Sequence, residues 1–174
     1  MIILFPKTNG PIVTKSVFLE QELGVVAKQS YKSGELLFTV NGPIKSQRSK
    51  YSFAIGLDRH IEPKQEKGSY NLGHFVNHSC DPTTITRIVE KKIGSPYIEV
   101  IARRNIKKGE EITFDYASLE YELTLINSIC KCNTRQCRGI IQGFKDLPKS
   151  VIKKYKKEGV IADYLLGLVS TSDN

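Results

Sequence analysis

The chain has 174 residues, 40% of them hydrophobic, and its 26 Lys and Arg outweigh 18 Asp and Glu to give a net charge of +8. This length and apolar content suit one domain with its own core and exclude a disordered or repetitive chain. No apolar run approaches the roughly 20 residues of a membrane span, so no membrane partner is expected. Residues 1–6 are too short for a secretory signal and lack its basic start, so an intracellular protein is expected, cytoplasmic or nuclear. The positive balance favours an acidic or polyanionic partner, and nucleic acid is one candidate for the basic surface.

Short strands between turns dominate the first two-thirds. Residues 23–27 form a small apolar run with Gly24 inside it. Lys32-Ser33-Gly34 marks a turn, followed by a strand over 35–40 that Asn41-Gly42-Pro43 ends. Residues 43–50 are polar and basic and read as a loop, and 51–57 read as a strand. Segments 84–90 and 97–103 flank a turn at 91–96 and predict a hairpin. In its second arm Ile98, Val100 and Ala102 share one face, because strand side chains alternate. After the turn Lys107-Lys108-Gly109, residues 111–116 predict another strand.

The tail changes character. Asp146 is expected to cap a helix with Pro148 near its first position and Gly159 at its end. Val151, Ile152 and Tyr155 would share its inner face, and a second short helix is expected over 160–166. Lys145, Lys149, Lys153, Lys154, Lys156 and Lys157 read as the solvated side of that surface. The pattern predicts a mainly β (α+β) domain with a helical C-terminal extension.

The usual catalytic signatures are absent: no P-loop, no dinucleotide fingerprint, no G-x-S-x-G elbow. His60, His74 and His78 are too few for a histidine metal cluster. Four cysteines remain. Cys130, Cys132 and Cys137 stand as C-x-C-x4-C, and Cys80 lies far upstream in Asn77-His78-Ser79-Cys80-Asp81-Pro82. Four thiolates make a closed tetrahedral zinc site, and reduced intracellular thiols favour metal. The rival readings are two disulfides or buried free thiols; close C-x-C neighbours do not easily pair with each other. A shared zinc would pin the chain around Cys80 to the C-terminal segment.

Several segments together resemble a known family. Leu23-Gly24-Val25-Val26-Ala27 and Lys32-Ser33-Gly34-Glu35 are similar to its first cofactor loop and following turn. Asn71 to Pro82 (NLGHFVNHSCDP) and Lys108 to Tyr116 (KGEEITFDY) are similar to its two central signatures. Cys130 to Cys137 with Arg138-Gly139 is similar to its terminal cysteine cluster. In this order, over residues 15–141, the chain resembles a SET-domain protein lysine methyltransferase with a post-SET zinc segment.

The resemblance implies a β-clip fold of small sheets with a knot-like crossing of the two signatures. It implies a catalytic domain over 15–120, a zinc segment over 128–143 and a helical extension over 144–174. S-adenosylmethionine would enter from one face and a protein lysine, on a histone or another protein, from the other. Tyr116 is the implied catalytic residue and also borders the cofactor. Gly24, Val25, Val26, Asn77 and His78 are the implied cofactor contacts. Cys80, Cys130, Cys132 and Cys137 are the implied zinc ligands. Phe114 occupies the position that influences methyl number, and a Phe there allows dimethyl or trimethyl products. Being two residues from Tyr116, it is expected on the same side of one strand.

Three departures bear on function. Glu22 and His74 stand where many relatives have Gly and Arg, and Val40 replaces a common channel tyrosine. The last change moves the expected aromatic wall of the lysine channel to Tyr51 or Tyr70. Val40 and His74 also support the alternative reading, a catalytically inert SET-fold binding module.

Overall fold

In the computed structural model the described residues are 10–16, 23–64, 71–124 and 129–170. Tyr70 and Glu22 lie outside them. The described strands form three small sheets. Strands β1 (Ile12–Lys15), β2 (Leu23–Val26), β10 (Glu111–Phe114) and β7 (Asn77–His78) lie side by side in that order. A second sheet has the order β3 (Leu36–Val40), β9 (Tyr97–Ala102), β8 (Thr84–Val89). The third has β4 (Ile44–Lys45), β6 (Arg59–Ile61), β5 (Phe53–Gly56).

The expected hairpin is present, with Thr84 opposite Ala102 and Val89 opposite Tyr97. Ile98, Val100 and Ala102 are all buried, as their alternation requires. Strand β4 falls inside the predicted loop. Its residues are exposed, and it exists because Ile44 and Lys45 pair with Ile61 and His60 of β6. Such a pairing leaves no local hydrophobic pattern to read.

The tail departs from expectation in detail. Asp146 caps nothing in the next helix; it ends its own 3-10 turn, Phe144–Asp146. Helix α1 spans Lys149–Lys157 and begins after Pro148 without a side-chain cap. Gly159, at φ 64°, ends it in the left-handed conformation that glycine adopts without steric cost. Tyr155 is buried and Val151 and Ile152 half-buried, so the expected inner face is correct. Helix α2 spans Asp163–Ser170 rather than 160–166. Val160 and Ile161 are buried in the connection before it, and the Ala162 N–H donates to the Ser118 carbonyl at 2.9 Å. Phe144, Leu147, Tyr155, Val160 and Leu165 therefore share one core with Val25, Val100 and Ile112. Among the described residues no helix is long and apolar enough to cross a membrane.

Candidate active site and metal centre

The two central signatures meet as parallel strands. Asn77 pairs with Thr113 and His78 with Phe114. Hydroxyls at the start of β8 and just before it brace this pair: Thr84 donates to the Thr113 carbonyl at 2.8 Å, and Thr83 accepts from the Thr113 N–H at 2.9 Å. Strand β10 stops at Phe114, two residues before the predicted end. Asp115 stops it, because its carboxylate accepts the Ala117 N–H at 3.1 Å and caps a 3-10 turn, Tyr116–Ser118.

Phe114 and Tyr116 are thus not two positions of one strand, which corrects the sequence expectation. The turn still folds their rings together, with centroids 4.9 Å apart. Phe114 is also stacked on Phe53 at 5.3 Å, and Tyr116 meets His78 edge-on at 5.2 Å. The Tyr116 hydroxyl donates to the Val76 carbonyl at 3.1 Å. The result is a half-buried phenol held between the two signatures beside an apolar ring pair.

Asn77, Gly24 and Glu111 form a second group. The Asn77 amide nitrogen donates to Glu111 at 2.7 Å and to the Leu23 carbonyl at 3.0 Å. Ser16 donates to the same carboxylate, at 2.9 Å from its nearer oxygen. A side chain at Gly24 would overlap Glu111 Oε1, so a larger residue there must displace that carboxylate from Asn77. Val25 is buried in the core and Val26 half-buried. Glu111 was quoted in the sequence motif without a role; its burial next to Asn77 is a tertiary property.

His78 is buried, and both ring nitrogens are engaged. Nδ1 lies 3.3 Å from the Tyr116 N–H, and Nε2 lies 3.4 Å from Cys80 Sγ. Burial pushes its pKa down to about 4, although Asp115 pulls the other way. A neutral ring accepting from Tyr116 carries its proton on Nε2, facing sulfur. The 3.5 Å approach of Asp115 to Nδ1 is then not an ion pair.

All four cysteines are free and converge, their sulfur atoms within 4.8 Å of one another. Tetrahedral zinc with bonds near 2.3 Å requires sulfurs about 3.8 Å apart. Cys80 and Cys130 are 3.7 Å apart. The residues fit a structural zinc, and no fourth position is left open for water. Burial pushes the Cys80 thiol up to about 11, and a divalent cation would supply the charge that buried thiolates need. Arg138 sends its backbone N–H to Cys80 Sγ and its guanidinium to Asp115. Tyr155, from α1, reaches Asp115 as well. In the sequence Arg138 stands only as the residue after Cys137 and Tyr155 only on the inner face of its helix; neither pattern points to Asp115.

Tyr51 is 45% exposed, with its ring 5.5 Å from His74, so these two residues form one edge of the surface near the first signature. Val40 is fully buried, packed where a side chain on Gly73 would collide with it.

A family model described as SET domain matches residues 22–117, more than half of the chain, and the chain belongs to that family. It is 29% identical over 134 residues to Histone-lysine N-methyltransferase TRX1 of Oryza sativa subsp. japonica, covering 68% of this chain and 12% of that protein. It is 31% identical over 134 residues to Histone-lysine N-methyltransferase ASHH2 of Arabidopsis thaliana, covering 75% and 7%. The chain therefore spans a small part of the relatives it matches. Among solved structures, KRYPTONITE in complex with mCHG DNA and SAH shares the fold with a TM-score of 0.61 at 20% identity, covering 74% of this chain and 28% of that one. A second KRYPTONITE structure, with mCHH DNA, H3(1-15) peptide and SAH, gives 0.59 at 21% identity.

Proposed function

We propose that this chain is a protein-lysine methyltransferase that uses S-adenosylmethionine and acts on a histone or another chromatin protein. The observation that carries the reading is the parallel pairing of Asn77-His78 with Thr113-Phe114, which gathers Asn77, Phe114 and Tyr116. The relatives' names and the ligands of the KRYPTONITE structures support the cofactor and the substrate class. The bound cofactor supplies a methyl group on a positively charged sulfur.

The chain's part is alignment and desolvation, since an in-line transfer between sulfur and nitrogen creates little net charge. Phe114 and Phe53 exclude water where the amine arrives. Desolvation there lowers the lysine pKa from about 10.4 and favours the neutral nucleophile. The Tyr116 hydroxyl orients that amine. Asn77, with Gly24, Val25, Val26 and the His78 backbone, holds the cofactor. Phe114 leaves room for a second and third methyl group. Tyr51, exposed beside His74, borders the lysine entry. Zinc on Cys80, Cys130, Cys132 and Cys137 anchors the closing segment. Catalytic domain, zinc segment and extension divide at 15–120, 128–143 and 144–174, and the working compartment is chromatin in the nucleus.

The test uses radiolabelled methyl donor with recombinant histones and with a whole-cell protein extract, followed by mass spectrometry of labelled peptides. Labelled lysines with wild type and labelling about 100-fold slower with Tyr116→Phe support the reading. A folded, zinc-loaded chain that gives no calorimetric binding of the donor overturns it.

A further inference from the structure

Besides the His78 ring, two hydrogen-bonded links join Cys80 to Asp115. Arg138 provides the first. Its backbone N–H donates to Cys80 Sγ at 3.4 Å, and its guanidinium grips both Asp115 oxygens at 2.7 and 2.9 Å. Tyr155 provides the second, its hydroxyl lying 2.9 Å from the Cys80 carbonyl and 2.9 Å from Asp115 Oδ2. Asp115 is 0% exposed and Tyr155 1%, so neither link is exchanged freely for water. Breaking a buried bidentate pair from one side is strongly destabilising, whereas the intact pair fixes geometry.

Asp115 is also the cap of the turn that begins at Tyr116. A displacement of Cys80 therefore passes through Arg138 and Tyr155 to Asp115, and from Asp115 to the turn carrying the phenol. Tyr155 sits on α1, outside the family match over 22–117.

We propose that Arg138 and Tyr155 are positioning residues that make metal binding by the four thiols and alignment of Tyr116 a single coupled equilibrium. Helix α1 is thereby part of the catalytic apparatus. The catalytic half of this inference rests on the methyltransferase reading; the coupling between thiols and Tyr116 does not.

The experiment uses the full chain with a fluorinated tyrosine at position 116, as wild type and as Tyr155→Phe, Arg138→Lys and the double variant. Cobalt(II) replaces zinc, its thiolate absorption reports the site, and chelator competition gives affinity. Melting curves report folding. Tyr155→Phe removes one oxygen and keeps the ring, and Arg138→Lys keeps the charge, which favours folded variants.

In wild type the fluorine resonance shifts on zinc addition; in the double variant that shift shrinks to the part carried by His78, whose ring touches Cys80 Sγ and the Tyr116 N–H. A double variant with the full wild-type shift overturns the coupling. Each single change weakens cobalt by about 10-fold or more, the usual scale for groups that orient metal ligands. The kcat falls by a similar factor while KM for the methyl donor stays within about twofold. The double variant falls short of the product of the singles, because both act on one carboxylate.

A wild-type fluorine signal indifferent to zinc overturns the coupling. So do variants that melt earlier yet keep cobalt affinity and kcat. If wild type transfers no methyl groups, the methyltransferase reading fails instead, and the fluorine and cobalt measurements still decide the coupling.

Discussion

Glu111 and Asn77 are bound to each other at 2.7 Å, and the Glu111 carboxylate fills the space that a side chain on Gly24 would need. Three strands thus depend on one vacant Cβ position. Gly24→Ala is expected to push Glu111 aside and release Asn77. Overpacking of this kind costs about 1–3 kcal/mol. Urea unfolding should show that loss, and calorimetry should show weaker binding of the methyl donor.

Tyr116→Phe deletes the hydroxyl bonded to the Val76 carbonyl. A single hydrogen bond contributes about 1 kcal/mol, so the fold should survive. Misaligned reactants lose about 100-fold in rate. The expected outcome is a kcat down by about that factor, with donor affinity within a few-fold of wild type, read from steady-state kinetics and calorimetry.

Phe114→Tyr places a hydroxyl beside the Tyr116 ring, 4.9 Å away between centroids. Less room for an alkylated amine should shift products toward monomethyl-lysine. Intact-peptide mass spectrometry under single-turnover conditions would reveal this, and an unchanged product distribution would remove Phe114 from the channel.

Chelation of the metal should lower the melting temperature while the strands of the main sheets keep their far-ultraviolet signature. The three post-SET cysteines, Cys130, Cys132 and Cys137, tie their segment to Cys80 alone among the described metal-ligating groups. Cys80→Ser should reduce zinc content below that of a surface control such as Ser150→Ala, measured by elemental analysis.

His60 supplies a pH test away from the metal. It is buried, and its pKa lies below the ordinary value of about 6.5, first because burial penalises the imidazolium and then because Arg48 repels it. The unfolded chain takes a proton that the folded chain refuses. This share of stability is complete above about pH 6.5 and is lost as pH falls toward the folded value. Urea midpoints at about pH 7.5 and about pH 5 should differ less in His60→Asn than in wild type.

The C-x-C-x4-C part of the cysteine cluster was legible because its spacing is local, and Cys80 joined it through the family order of motifs, which also brings Phe114 against Tyr116. Strand alternation does not bring Phe114 and Tyr116 together; β10 ends at Phe114, and Asp115 bends the chain between them. Strand β4 was invisible because its partner, β6, supplies the only reason for its existence. Asp146 carried the composition of a cap but lies in its own short turn. The partners of Glu111, Arg138 and Tyr155 could not be read from the sequence, because they meet through carboxylates buried by residues distant along the chain.

The aromatic and aliphatic groups that complete the interior, from Phe144 to Leu165, are made after every cysteine of the cluster. The interior around Phe53, Phe114 and Ile112 therefore lacks its final neighbours until the segment after the cysteines joins it.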